Sequence, residues 1–186
     1  MRDFFLHFEA LLRAFYLSPF VNTYLAILGL ILPKLEKITL PTRFQKTGAQ
    51  GHSRRTGACN QKQSRQVCFG YSIYRCKKQV SVFTKKYPYI MELFKKFIDS
   101  HYPEFEFDSV YVNKNVKCKK HLDSKNVGTS LLVGFGDYLG GESVLYINNE
   151  AEKMNIQICS VIFNGSKIEH ESLPFTGTRY SLVFIT

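Results

Sequence analysis

SLLVGFGDYLGGESVLYI, residues 130–147, is the stretch that predicts the fold. It holds two apolar runs, Ser130 to Phe135 and Ser143 to Ile147, and the residues between them are rich in glycine. Gly140 and Gly141 favour a turn, because glycine adopts the backbone conformations that tight turns require. Short apolar runs separated by turn formers are typical of antiparallel β-strands.

Similar runs lie on both sides of this stretch, at 105–113, 156–163 and 180–185. Turn formers again separate them: Asn148-Asn149, Asn164-Gly165, Pro174 and Gly177. Many short strands at this spacing predict an α+β fold that is mainly β, a double-stranded β-helix or jelly roll with N-terminal supporting helices.

The supporting helix is predicted from Pro88 to about His101. Proline is favoured at the first helical position. The apolar residues that follow recur at helical spacing: Ile90, Leu93, Phe94, Phe97 and Ile98.

We expect three regions along the chain: an apolar helical extension at 1–36, a basic flexible arm at 37–66, and the jelly-roll domain at 67–186. The apolar run 24–32 stops at Pro33 and is too short to span a bilayer. We therefore rank a helix packed on the domain ahead of membrane contact through 1–33 or a signal peptide.

Charge is distributed unevenly. The net charge is +10, yet the stretch from Lys37 to Met91 contains no Asp or Glu and twelve Lys and Arg residues. Such a block attracts polyanions, so residues 37–91 are a candidate surface for nucleic acid or an anionic membrane. A solvated tail that keeps the protein soluble is the alternative.

The five cysteines indicate reduced thiols, because they are odd in number and include no Cys-x-x-Cys pair. We expect an intracellular protein, cytoplasmic or nuclear. Zinc binding by His52, Cys59, Cys68 and Cys76 would need spacings that fit no standard finger.

Four residues suggest a chemistry. His121 and Asp123 form a His-x-Asp pair, and His170 and Arg179 follow in that order. Two imidazoles and a carboxylate can occupy one face of an octahedral metal, which suits a non-haem Fe(II) oxygenase. Arg179 lies in an otherwise apolar predicted strand, where a charge needs a partner.

Residues 109–186 resemble the core of the 2-oxoglutarate- and Fe(II)-dependent dioxygenases. The resemblance rests on His-Leu-Asp, Gly-Asp-Tyr-Leu-Gly-Gly-Glu, the later His, and Gly-Thr-Arg-Tyr-Ser. It implies an enzyme that hydroxylates a substrate carbon and decarboxylates 2-oxoglutarate to succinate. It also implies Fe(II), 2-oxoglutarate and dioxygen, with ascorbate as a further candidate cofactor.

The same resemblance assigns roles. His121, Asp123 and His170 would bind the iron, and Arg179 would pair with the distal carboxylate of 2-oxoglutarate. Ser181 could add a hydroxyl donor, as could Tyr111 or Asn113 from the strand that enters the site. The family usually has a large apolar residue where this chain has Ser143.

Three interpretations of the function remain open, two of which differ in the substrate. The basic stretch favours a nucleic-acid base, as in the thymine and methylcytosine dioxygenases, which the chain resembles. A prolyl-hydroxylase-like protein oxygenase with a peptide substrate matches the closing motifs equally well. The third reading is a catalytically silent jelly-roll binding module or a fragment of a larger protein.

Overall fold

A computed structural model describes residues 19–40, 65–74, 77–124 and 126–186. Residues 41–64 of the basic arm predicted at 37–66 lie outside the described residues, as do the first 18 residues. Among the helices that are described, none is long and apolar enough to cross a membrane. The described residues divide into two compact units, one that contains 19–38 and 89–105 and another that contains 39–40, 65–74, 77–88, 106–124 and 126–186.

The described elements are three helices and nine strands: α1 (Pro19–Glu36), β1 (Arg65–Tyr74), β2 (Lys77–Val80), α2 (Val82–Lys86), α3 (Pro88–His101), β3 (Ser109–Lys114), β4 (Ser130–Gly140), β5 (Ser143–Ile147), β6 (Glu150–Met154), β7 (Val161–Phe163), β8 (Glu169–Ser172) and β9 (Phe175–Ile185).

The helices of the first unit bury one face each. α1 continues through Pro33, where the apolar run stops, and ends at Glu36. Leu35, two residues beyond the proline, is fully buried, and its burial offsets the hydrogen bond that proline cannot donate. α3 spans the predicted residues, and four of its five predicted apolar positions are buried: Ile90, Phe94, Phe97 and Ile98.

The second unit contains two antiparallel sheets. The larger has the strand order β2-β1-β3-β9-β4-β7, and the smaller has the order β6-β5-β8. Alternation along β9 separates two faces of the larger sheet. Tyr180, Leu182 and Phe184 are fully buried on one face, while Arg179 and Ser181 lie on the other.

A hydrophobic cluster joins the two sheets at one end. Its buried members come from both of them and from the segment between β6 and β7: Leu132, Leu145, Ile156, Val161 and Phe163. This packing joins the sheet that contains β8 to the sheet that contains β9, and two predicted site residues, His170 and Arg179, come from these two strands.

Several predicted strands have different bounds. β3 begins at Ser109 rather than Phe105, and only 161–163 of the predicted strand at 156–163 is extended. Residues between Asn155 and Cys159 instead form a turn, in which the amides of Ile158 and Cys159 both donate to the Asn155 carbonyl. β4 and β9 are longer than predicted, because their pairing continues from Ser130–Ile185 as far as Gly140–Phe175.

Candidate metal and dicarboxylate site

The two predicted histidine ligands face each other across an isolated β-bridge. His121 and His170 exchange two backbone hydrogen bonds of 3.0 Å, and their ring centroids lie 4.3 Å apart. His170 belongs to β8, where it is opposite Leu145 of β5. The bridge therefore brings together side chains that are far apart in sequence.

Asp123 completes the group. Its backbone amide donates a hydrogen bond of 2.8 Å to the Gly165 carbonyl. This bond fixes the position of Asp123, two residues beyond the His121–His170 bridge. Its carboxylate oxygens lie 3.4 Å from Nε2 of His121 and 3.5 Å from Nε2 of His170. Burial raises the pKa of Asp123, but the two histidines outweigh burial and hold that pKa well below its ordinary value.

Both imidazoles are oriented by backbone carbonyls. Nδ1 of His121 donates to the Lys119 carbonyl at 2.7 Å, and Nδ1 of His170 donates to the Ile168 carbonyl at 2.9 Å. A histidine whose Nδ1 carries the proton presents the Nε2 lone pair to a metal. Both Nε2 atoms face Asp123, so the three donors converge.

Arg179 is almost fully enclosed, with 3% of its surface exposed. Its amide donates to the Asn115 side chain at 2.8 Å, and its carbonyl accepts from the Asn115 amide at 2.8 Å. Its guanidinium lies over the rings of Tyr138 and Phe175, at 5.7 and 5.6 Å from their centroids. Burial lowers the pKa of this group, and its Nε makes no hydrogen bond among the described residues.

The other predicted donors are placed differently. Asn113 and Ser181 are buried and line the same cavity as Arg179 and the three metal-binding candidates. Tyr111, two residues before Asn113 on β3, is not among the residues that line this cavity, and its hydroxyl interacts with Cys68. The cavity is bounded by Asn113, Val116, Cys118, His121, Asp123, Leu132, Ser143, Phe163, His170, Glu171, Ser172, Arg179, Ser181 and Val183.

Sequence reasoning missed two supports of the site, Asn115 and the contact made by Gly141. Asn115 holds the backbone of Arg179 and adopts a positive φ of 53°, which asparagine tolerates better than most residues. Gly141, predicted only as a turn former, lies against the Arg179 side chain, since a Cβ there would be 3.0 Å from Cδ. Ser143, which the sequence had singled out, is buried and lines the cavity.

The residues fit a divalent metal and a dicarboxylate. The donor atoms of His121, Asp123 and His170 lie within 4.8 Å of one another, and two imidazoles with one carboxylate form the donor set of non-haem Fe(II) sites. Arg179 supplies a buried cation whose Nε has no acceptor within the described part of the chain. A carboxylate in the cavity would provide one.

Two other sequence hypotheses cannot be placed. Of the four residues considered for zinc, His52, Cys59 and Cys76 lie outside the described residues, and only Cys68 is described. Most of the basic arm, from Arg43 to Lys62, also lies outside them.

Comparison with protein-family models and with curated protein sequences gives no match. Solved structures do match. A Pseudomonas putida prolyl-4-hydroxylase has a TM-score of 0.50 at 14% identity, over 90% of this chain and 87% of that one. A Burkholderia pseudomallei oxidoreductase of the 2OG-Fe(II) oxygenase family has a TM-score of 0.48 at 18% identity, over 66% of each chain. NgTET1, solved in complex with 5mC DNA, has a TM-score of 0.48 at 17% identity, over 64% of this chain and 60% of that one.

The chain thus spans about two thirds or less of the length of the last two proteins and most of the prolyl hydroxylase. At these identities the likeness concerns the fold. The predicted jelly roll is confirmed: the two antiparallel sheets form a double-stranded β-helix, the fold that this chain shares with the prolyl-4-hydroxylase.

Proposed function

We propose that this protein is an Fe(II)- and 2-oxoglutarate-dependent dioxygenase that hydroxylates a substrate carbon, and that the substrate is a nucleic-acid base. One observation carries the enzyme class. The converging donors of His121, Asp123 and His170 share a cavity with the buried Arg179, whose Nε has no partner among the described residues.

Each residue has a role in this proposal. His121, Asp123 and His170 would hold Fe(II), and the carbonyls of Lys119 and Ile168 keep both Nε2 atoms available. Arg179 would bind the distal carboxylate of 2-oxoglutarate through its planar guanidinium, and Ser181 would donate beside it. Iron held by these residues would supply the dioxygen chemistry by which 2-oxoglutarate becomes succinate and CO₂, with one oxygen atom entering the succinate and the other the substrate.

The apolar part of the cavity has a separate task. Leu132, Phe163 and Val183 line it beside the polar groups. Such walls exclude water, which strengthens the attraction between Arg179 and a bound carboxylate.

The charge beside the metal-binding candidates supports a polyanionic substrate. Lys117, Lys119 and Lys120 directly precede His121, and Lys119 and Lys120 are exposed. Lys120 pairs with Glu169 at 2.9 Å, whereas neither Lys117 nor Lys119 has a carboxylate partner within the described residues. The Lys119 carbonyl also orients His121, so the backbone of this exposed lysine is held beside the candidate centre.

The enzyme class is tested by succinate release from 2-oxoglutarate in the presence of Fe(II) and a substrate pool. We expect Asp123→Asn to abolish release, because a neutral amide binds the metal more weakly than a carboxylate. Asp137→Asn, at an exposed position of β4, is the matched control and should retain release. Metal binding without succinate formation from any pool would favour a silent binding module.

The substrate is tested by mass spectrometry for a gain of one oxygen on DNA, RNA and peptide pools. Oxygen on a base supports the proposal, and oxygen on proline in the peptide pool would support the protein oxygenase instead.

A DNA-binding measurement tests the lysines beside the site. Lys119→Glu should weaken the affinity for DNA and reduce the slope of log affinity against log salt concentration by about one. Lys119→Arg keeps the charge and should bind as the parent does. Equal binding by both variants would contradict a role for this lysine.

A further inference from the structure

A row of polar side chains crosses the larger sheet on three neighbouring strands. Gln66 of β1 is in register with Asn113 of β3, and Asn113 is in register with Ser181 of β9. Asn113 and Ser181 line the cavity, whereas Gln66 does not. Gln66 therefore reaches the described part of the site through its hydrogen bond with Asn113.

The hydrogen bonds along this row run in one direction. Nε2 of Gln66 donates to Oδ1 of Asn113 at 2.6 Å, and Nδ2 of Asn113 donates to Oγ of Ser181 at 3.4 Å. The second bond is long, so the short bond from Gln66 is the stronger restraint on the Asn113 amide. Since Ser181 accepts from Asn113, its own O–H is left to donate elsewhere.

The direction matters because an asparagine amide has nearly the same shape in its two orientations. With Oδ1 bound to Gln66, the Asn113 NH₂ group is directed to the Ser181 side. In the opposite orientation, an oxygen would take its place, and Ser181 would have to donate to it. A carboxylate accepts hydrogen bonds and donates none, so only the first orientation suits it.

We propose that Gln66 is a positioning residue that fixes the Asn113 amide so that Asn113 and Ser181 present donors to a carboxylate bound by Arg179. The inference rests on the proposed function, since it requires a dicarboxylate in the cavity. Arg179 and Ser181 lie two residues apart on the same face of β9, so both can address one carboxylate group.

The test is the dissociation constant of 2-oxoglutarate, measured by calorimetry without oxygen on the full chain with Mn²⁺ in place of Fe(II). Gln66→Glu has the same shape but offers only acceptors, so Asn113 should turn its NH₂ towards Glu. We expect affinity to fall about tenfold or more, the effect of losing a hydrogen bond to a charged group. Gln66→Met, which is neutral and makes no hydrogen bond, should weaken affinity less.

A double variant separates positioning from charge. In an Asn113→Leu background, Gln66→Glu should change affinity by less than about twofold, because the amide on which Gln66 acts is gone. A full loss in that background would overturn the inference and indicate repulsion by the new carboxylate. Thermal unfolding of each variant reports whether it is folded.

Activity supplies a second readout. For Gln66→Glu, we expect a raised KM for 2-oxoglutarate and a nearly unchanged kcat at saturation, since the metal ligands are untouched. Unchanged affinity and KM would overturn the inference while leaving the enzyme class intact. If the parent chain binds no 2-oxoglutarate, the proposed function fails, and this inference fails with it.

Discussion

His121 and His170 are tied together by their backbones before any metal is considered. Two hydrogen bonds of 3.0 Å join them, and each imidazole is turned by a carbonyl two residues earlier in its own segment. The ring positions therefore follow from strand pairing. Such a site is organised in advance, which reduces the ordering that metal binding must impose.

Loss of either histidine should impair metal binding without unfolding the chain. Both His121→Gln and His170→Gln remove an imidazole donor at the edge of the cavity. Losing only the hydrogen-bond partner of a metal ligand lowers metal affinity by about tenfold to a hundredfold. Because these variants lose the ligand itself, we expect the affinity for Fe(II) or Mn(II) to fall by at least that much. Metal titration of the purified variants measures this, with Asp137→Asn as the control. Full stoichiometric binding by both variants would contradict the assignment.

Arg179→Met should have opposite effects on binding and stability. It should abolish 2-oxoglutarate binding, because the cation that pairs with the carboxylate is gone. It should also stabilise the ligand-free chain by about 1 kcal/mol, because the described residues give the buried guanidinium no carboxylate partner and burial disfavours its charge.

Thermal or urea unfolding with and without 2-oxoglutarate measures both effects. Arg179→Lys, which retains the charge but loses the planar fork, should bind at least tenfold more weakly than the parent. A destabilised Arg179→Met chain would show that the contacts of the guanidinium with Tyr138 and Phe175 outweigh the cost of burying its charge.

Two glycines near the site should differ in their tolerance of alanine. At Gly141, φ is +73° and a Cβ would lie 3.0 Å from Cδ and 3.1 Å from Nε of Arg179. Gly141→Ala should therefore cost about 1 to 3 kcal/mol of stability and weaken 2-oxoglutarate binding.

Gly165→Ala is the matched control. Its Cβ would lie 3.5 Å from Asp123 and His170, which is ordinary contact. This variant should retain metal and co-substrate affinity within about twofold. Calorimetry measures the affinity of both variants for 2-oxoglutarate. Equal losses of affinity would show that the close approach to Arg179 is not the cause.

Cys68 and Cys159 should alkylate at different rates. Burial raises the pKa of Cys68 from 9.0 to about 11, opposed in part by its hydrogen bond with Tyr111. At pH 8 its thiolate is therefore scarce, and the thiol is the poor nucleophile. Cys159 is exposed.

Peptide mass spectrometry after brief iodoacetamide treatment at pH 8 should show Cys159 modified well before Cys68. The difference should shrink as pH rises towards 11, because the Cys68 thiolate becomes populated through its raised pKa. Equal rates in the folded chain at pH 8 would contradict this. In urea, where burial no longer raises the pKa of Cys68, the two rates should become similar.

Local patterns predicted some elements well. The helix at 88–101 was predicted correctly because its apolar residues recur at helical spacing, and β5 was predicted correctly because two glycines precede it. β6 was missed: four of its five residues are exposed and include Glu150, Glu152 and Lys153, so it lacks the alternation that marks a half-buried strand. The predicted strand at 156–163 is largely a turn, with only Ile156 of its first residues buried.

The amino-acid sequence alone determined which donors are available and in what order: His121, Asp123, His170 and Arg179, in a chain whose alternating residues select a jelly roll. The tertiary structure decided which of them meet. The bridge from His121 to His170, the contact of Gly141 with Arg179 and the bond from Gln66 to Asn113 join residues distant along the chain. Local propensity carries no information about such pairs, since strand register and sheet packing create them only when the whole domain folds.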